Sequence, residues 1–137
     1  LNIEITNCSA THFKLVKKYI KNFELDDREL KQKEFLVAIS NGNLLGFGRI
    51  REHEGFSEMC SLGIIENARE KGIGKLISMA LIKKATQSIY LACIIPNYFK
   101  ALGFKVCRKF PEGMQQKLDY CTDSLPVPEN YVVMKLI

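Results

Sequence analysis

Two glycines one residue apart, Gly72 and Gly74, stand in "AREKGIGKL" (68–76), between one apolar run and the next. Glycine loses more backbone freedom on folding than any other residue. A pair of them therefore points to a close approach by another backbone or by a ligand. Upstream, "SEMCSLGII" reads as a strand; from Gly72 to about Thr86 the pattern turns helical, with Ile73, Leu76, Ile77 and Ala80 predicted to form one apolar stripe. "SIYLACII" is then almost continuously apolar, as expected of a strand covered on both sides. Strand, helix and buried strand in that order describe a right-handed crossover between parallel strands.

The remaining elements surround this unit. "LNIEIT" alternates and predicts a first strand, and Ser9 caps a helix whose Phe13, Val16, Ile20 and Phe23 share a face. "DDRELKQKE" predicts a short helix capped by Asp26 or Asp27. Asn41-Gly42 between two apolar runs is a hairpin signal, and a second turn near "HEGF" leads into "SEMCSLGII" as a third antiparallel strand. Pro96 opens a short helix that Gly103 ends; "FKVCRKF" and "YVVMKLI" predict a final antiparallel pair, with residues 111–130 read as irregular. The fold class expected is α/β with α+β character: a mixed, mostly antiparallel sheet with a central parallel strand pair and helices on both faces.

No repeat or linker interrupts the 137 residues, so a single domain over 1–137 is expected. Hydrophobic content of 47% with 26% charged residues describes a globular chain rather than a disordered one. No apolar run is long enough for a membrane span and no signal-peptide pattern opens the sequence, so no membrane partner and a cytoplasmic location are expected. The net charge of +5 favours anionic ligands without demanding nucleic acid, and the aromatics read as core rather than a stacking platform. Five scattered cysteines and two histidines, His12 and His53, offer no zinc-ligand spacing, so no metal is expected.

Three phosphate-holding templates can be laid on the glycines. A Walker loop fails because Arg69 stands where the first glycine belongs and Leu76 where a hydroxyl belongs; the dinucleotide fingerprint fails at Ile77. The pattern R/Q-x-x-G-x-G/A at a strand-to-helix junction is filled by Arg69-Glu70-Lys71-Gly72-Ile73-Gly74. Such a loop presents N–H groups at a helix N-terminus, where the helix dipole also favours anions. With "LGIIENAREKGIGKLI", and "YFKALGF" further on, the sequence resembles the GNAT superfamily of acyl-coenzyme A-dependent N-acetyltransferases.

The resemblance implies that main-chain amides of Arg69, Glu70, Lys71, Gly72, Ile73, Gly74 and Lys75 hold the pyrophosphate of acetyl coenzyme A. It also implies that the strand at Leu62 and Ile64 pairs with the pantetheine arm. The acyl thioester is expected where the two central parallel strands splay, and a bulge in the Cys60–Leu62 region is expected to free an N–H for its carbonyl. Glu58 is the candidate general base, since similar enzymes often carry a Glu on this strand, with Glu52 and Glu54 as rivals. The tyrosine that many relatives use as acid is replaced by Phe99; Tyr98 is adjacent but turned about 100° away on a helix. The Asn that relatives often place before this helix is likewise missing, with Ala92 at its position. Acetyl transfer to the primary amine of a small molecule follows as the expected function, with a non-catalytic cofactor-binding module of the same fold as the alternative. Whether the chain forms a homodimer stays open.

Overall fold

A computed structural model describes residues 2–137. The chain folds as two compact units, Leu1–Ile50 with Met59–Lys84 and Arg51–Glu58 with Ala85–Ile137. Among the described residues the elements number seven strands and four α-helices, with mostly antiparallel pairing and one parallel pair, as the sequence predicts for the fold class.

In the first unit, β1 (Glu4–Asn7) pairs antiparallel with β2 (Phe35–Ser40), and β2 with β3 (Asn43–His53). The turn between β2 and β3 uses positive φ at Asn41 (50°) and Gly42 (78°), the turn geometry that best matches strand twist. Helix α1 (Ala10–Asn22) begins at Ser9, whose Oγ accepts the N–H of His12 at 3.1 Å. Its buried Val16 and Ile20 pack with Cys8, Phe35, Val37 and Phe47, and Phe13 and Phe23 lie at the margin.

The helix expected at "DDRELKQKE" contracts to a 3-10 turn at Gln32–Glu34. Asp26 takes the N–H of Arg28 on its Oδ1 at 3.0 Å, a local bond that competes with helix formation. Glu24 and Glu29 also adopt positive φ. The carbonyls this bend releases converge on Arg49, fully buried on β3: its Nη2 donates to the Asp26 and Arg28 carbonyls at 3.3 and 3.0 Å, and Nη1 pairs with Glu34 at 3.2 Å.

Helix α2 (Ile73–Lys84) also departs from its predicted stripe. Ile73, Ile77 and Leu81 are buried with Ser78, whereas Leu76 is 46% exposed. At 100° per residue, Leu76 falls outside a face centred on the 73–77–81 row.

The second unit holds β5 (Ile89–Cys93), α3 (Pro96–Lys100), β6 (Phe104–Val106), α4 (Glu112–Ser124) and β7 (Val132–Leu136). The start of β4 (Phe56–Ile64) runs parallel to β5 at Ser57↔Ile89 and Glu58↔Tyr90; β7 then pairs antiparallel with both β5 and β6. In β5, Tyr90 and Ala92 are only half-buried, so its cover is less complete on one face than the apolar run suggests. Helix α4 replaces the irregular segment expected at 111–130. Pro111 precedes its first turn and Pro126 and Pro128 follow its last, so the prolines bracket a helix without interrupting it. Its buried Met114 packs with Phe56 and Val133.

Packing leaves no room at Gly63, where an added Cβ would lie 2.6 Å from Cζ of the buried Phe47 ring and 3.1 Å from Leu25. Gly63→Ala is expected to destabilise the protein by about 1–3 kcal/mol through overpacking, read as a lower urea midpoint at unchanged slope.

Candidate functional site

Two groups of residues, one in each unit, are the candidates for chemistry. The first is the loop between β4 and α2. After β4 ends, a 3-10 turn at Glu66–Ala68 leads to Glu70 with φ 64° and Gly72 with φ 76°. Nothing lies within 4 Å of a Cβ placed on Gly72, so the loop is open on that side and glycine is selected by its backbone angle. Leu76 N–H donates to Gly72 O at 3.2 Å as the first rung of α2. The N–H groups of Ile73, Gly74 and Lys75 precede that rung, as the opening amides of any helix must. Among the described residues, the amides of Glu70, Lys71 and Gly72 also enter no main-chain bond.

Lys71 and Lys75 are exposed beside these donors, and the helix dipole adds positive potential. An open run of N–H groups with flanking cations fits a diphosphate. Arg69 is the exception in the expected set. Its N–H already donates to Glu66 O at 3.3 Å, its Nε donates to Ile64 O at 3.0 Å, and its guanidinium lies 5.1 Å from the Phe23 ring centroid. Arg69 therefore braces the loop from behind, and the open donors run from Glu70 to Lys75.

Leu62 and Ile64 are half-buried on β4, and their side chains lie against Gly48 and Gly46 of β3. Their side chains are thereby committed to packing between β3 and β4. Just before them, Ser61 has φ 55°, an irregularity inside β4 in the region where a bulge is expected. Its Oγ accepts Arg49 Nε at 3.0 Å and donates to the Asp26 carbonyl at 2.8 Å, which fixes this strained residue in place.

The second group surrounds Glu58, the last β4 residue in the parallel ladder. It is only 1% exposed, which excludes the ordinary exposed strand residue. Oε1 lies 2.9 Å from His53 Nε2 and 3.9 Å from Arg51 Nη1; Oε2 lies 3.0 Å from the buried Lys117 Nζ on α4. Burial of a carboxylate is tolerable only with such partners. Lys117 belongs to the segment read as irregular, yet Met114, Lys117 and Cys121 recur at helical spacing, the signal that would have revealed it.

The rivals stand elsewhere. Glu52 accepts Ser57 Oγ at 2.5 Å, Gln87 Nε2 at 3.0 Å and Thr86 N–H at 3.0 Å. Burial pushes its carboxyl upward, but these hydrogen bonds together outweigh that effect and leave it below the usual range. Glu52 thus ties the segment before β5 to β3. Glu54 is exposed in the turn after β3. Tyr98, 39% exposed on α3, meets Phe99 edge-on at 5.0 Å, and burial raises its hydroxyl above the ordinary tyrosine value. Phe99 is buried against Phe104 at 6.0 Å and carries no polar atom.

The comparisons with known proteins agree with one another. The model of the acetyltransferase (GNAT) family matches residues 3–104. An uncharacterized N-acetyltransferase of Chlorobaculum tepidum, CT2212, is 25% identical over 111 residues, covering 76% of this chain and 72% of its own. Among solved structures, Rv2747 from Mycobacterium tuberculosis, in complex with coenzyme A, superposes with a TM-score of 0.79 at 16% identity over 98% of each chain. N-acetylglutamate synthase from Neisseria gonorrhoeae, complexed with coenzyme A and N-acetyl-glutamate, gives 0.77 at 16% identity. That match covers 99% of this chain and 35% of the synthase, so the chain spans about a third of that protein's length.

The open donors make a sharp prediction. Gly74→Asp adds a carboxylate in the first turn of α2, where the dipole stabilises it by about 0.3–1 kcal/mol, so the melting temperature is expected to hold or rise. The same charge stands against an incoming diphosphate, and calorimetric titration with coenzyme A is expected to show binding lost. Unchanged affinity would place the anion elsewhere.

Proposed function

The chain belongs to the acetyltransferase (GNAT) family, and we propose that it moves an acetyl group from acetyl coenzyme A to the primary amine of a small molecule by direct attack in a ternary complex. Membership of the family makes it an acyltransferase with acetyl coenzyme A as co-substrate. The observation that carries the reading is the open run of N–H groups from Glu70 to Lys75 at the start of α2. In this reading these amides, with Lys71 and Lys75, hold the pyrophosphate, while the main chain at Leu62 and Ile64 meets the pantetheine arm as an added strand.

Bound there, acetyl coenzyme A supplies an activated acyl carbon and a thiolate leaving group. The protein's own tasks are to hold the amine beside that carbon, to take its proton and to protonate the departing sulfur. Positioning alone accounts for a large share of such accelerations. The irregularity at Ser61 is the feature of β4 suited to turning an N–H toward the acyl oxygen. Glu58 provides the negative charge of the proton-accepting side. Tyr98, which holds its proton at neutral pH, provides a donor for the thiolate. A small acceptor bearing an amino-acid-like amine is supported by the synthase complexed with N-acetyl-glutamate. Among the described residues no helix is long and apolar enough to cross a membrane. We propose one domain over 1–137 and a cytoplasmic setting.

Acetyl coenzyme A at a hundred times its Kd is expected to stabilise the fold by about 2.7 kcal/mol, seen as a raised melting temperature. Thiol release is expected with at least one member of a panel of L-amino acids and small primary amines. Absence of any thermal shift at saturation would overturn the cofactor site.

A further inference from the structure

Resting on the acetyltransferase reading, we propose that His53 is the catalytic base and that Glu58 is a positioning residue behind it. Glu58 is enclosed: Oε1 faces His53 and Arg51, Oε2 faces Lys117, and 1% of the residue is exposed. A substrate ammonium could reach either oxygen only by displacing one of these donors. The imidazole is different, with 28% of its side chain exposed. Its Nε2 lies 2.9 Å from Oε1 of Glu58; in the neutral ring a hydrogen on Nε2 makes this bond and leaves the lone pair on Nδ1.

The ring is also held in orientation. It stacks on Phe56 with centroids 4.6 Å apart and planes 16° from parallel, and Gln87 Nε2 donates to the His53 carbonyl at 2.8 Å. Arg51 on β3 and Lys117 on α4 pair with the same carboxylate. A buried carboxylate behind a half-exposed imidazole is the arrangement that fixes the tautomer and stabilises the imidazolium once it forms. The carboxylate of the pair belongs to the last rung of the parallel ladder, Glu58↔Tyr90.

The step balances without a further reactant. The acceptor, R–NH3+, gives one proton to Nδ1, and the imidazolium is paired with Glu58. The freed lone pair forms the N–C bond to the acyl carbon as the C–S bond breaks. The nitrogen's second proton ends on the departing sulfur, giving the free thiol, and the imidazolium returns the first proton to solvent.

Because the base serves only amines that arrive protonated, two probe acceptors separate catalysis from structure. Ethylamine is protonated near neutral pH, whereas hydroxylamine is largely neutral there. His53→Gln at this half-exposed position is expected to lower kcat/KM for ethylamine by on the order of 100-fold or more. The rate with hydroxylamine should be little changed, and the thermal shift with acetyl coenzyme A should be retained. Equal loss with both probes, or loss with neither, would overturn the proposal. So would a wild-type protein that binds acetyl coenzyme A but acetylates neither amine. A wild-type protein showing no thermal shift would instead overturn the acetyltransferase reading on which the proposal rests. Glu58→Gln in the same assay is expected to reproduce the asymmetry between probes, and symmetric loss there would remove its positioning role.

Discussion

A helix must find acceptors outside itself for its first N–H groups, or leave them to solvent and ligand. At α2 the chain brings no side-chain cap to that position; it brings Glu70 and Gly72 in left-handed conformations and a glycine at position 74. The choice has a small local cost, since glycine at the capping position gives up only about a few tenths of a kcal/mol against Ser or Asp. Burial on the other side compensates. Ile73, Ile77 and Leu81 are at most 1% exposed, and Arg69 anchors the loop to Ile64 and Phe23. Anchored behind and with main-chain donors unpaired in front, the loop has the form that the proposed diphosphate site requires.

Buried charge is the second recurring device, and it does a different job in each unit. Arg49 gathers main-chain carbonyls of the bend at 26–29, the Glu34 carboxylate and the Ser61 hydroxyl. One guanidinium, with its fixed fork of donors, thereby holds both an irregular loop and a strained strand residue. Glu58 works in the opposite sense, as one carboxylate gathering donors from β3 and α4. Removing one partner from such a cluster leaves an uncompensated buried charge, at a cost of about 3–5 kcal/mol.

Much of this was legible in the residues. Ser9, the Asn41-Gly42 turn, the parallel β4–β5 pair and the glycine loop are each written locally, by a capping hydroxyl, by tolerance of positive φ or by apolar periodicity. What escaped depends on distant partners. Asp26 reads as a helix cap until its bond to Arg28 and the demands of Arg49 are known. Helix α4 was hidden by prolines that in fact flank it, and with it Lys117, the partner of Glu58. His53, unassigned from spacing alone, acquires meaning only when β3, β4 and α4 converge on one carboxylate.

The claim that main-chain donors at the start of α2 grip a diphosphate is tested most directly by following backbone amides in a two-dimensional nitrogen–proton NMR titration with coenzyme A. The account predicts that the resonances of Glu70 through Lys75 move furthest, while that of Arg69, already bonded to Glu66, moves less. Saturation of coenzyme A binding with those amides unmoved would contradict it.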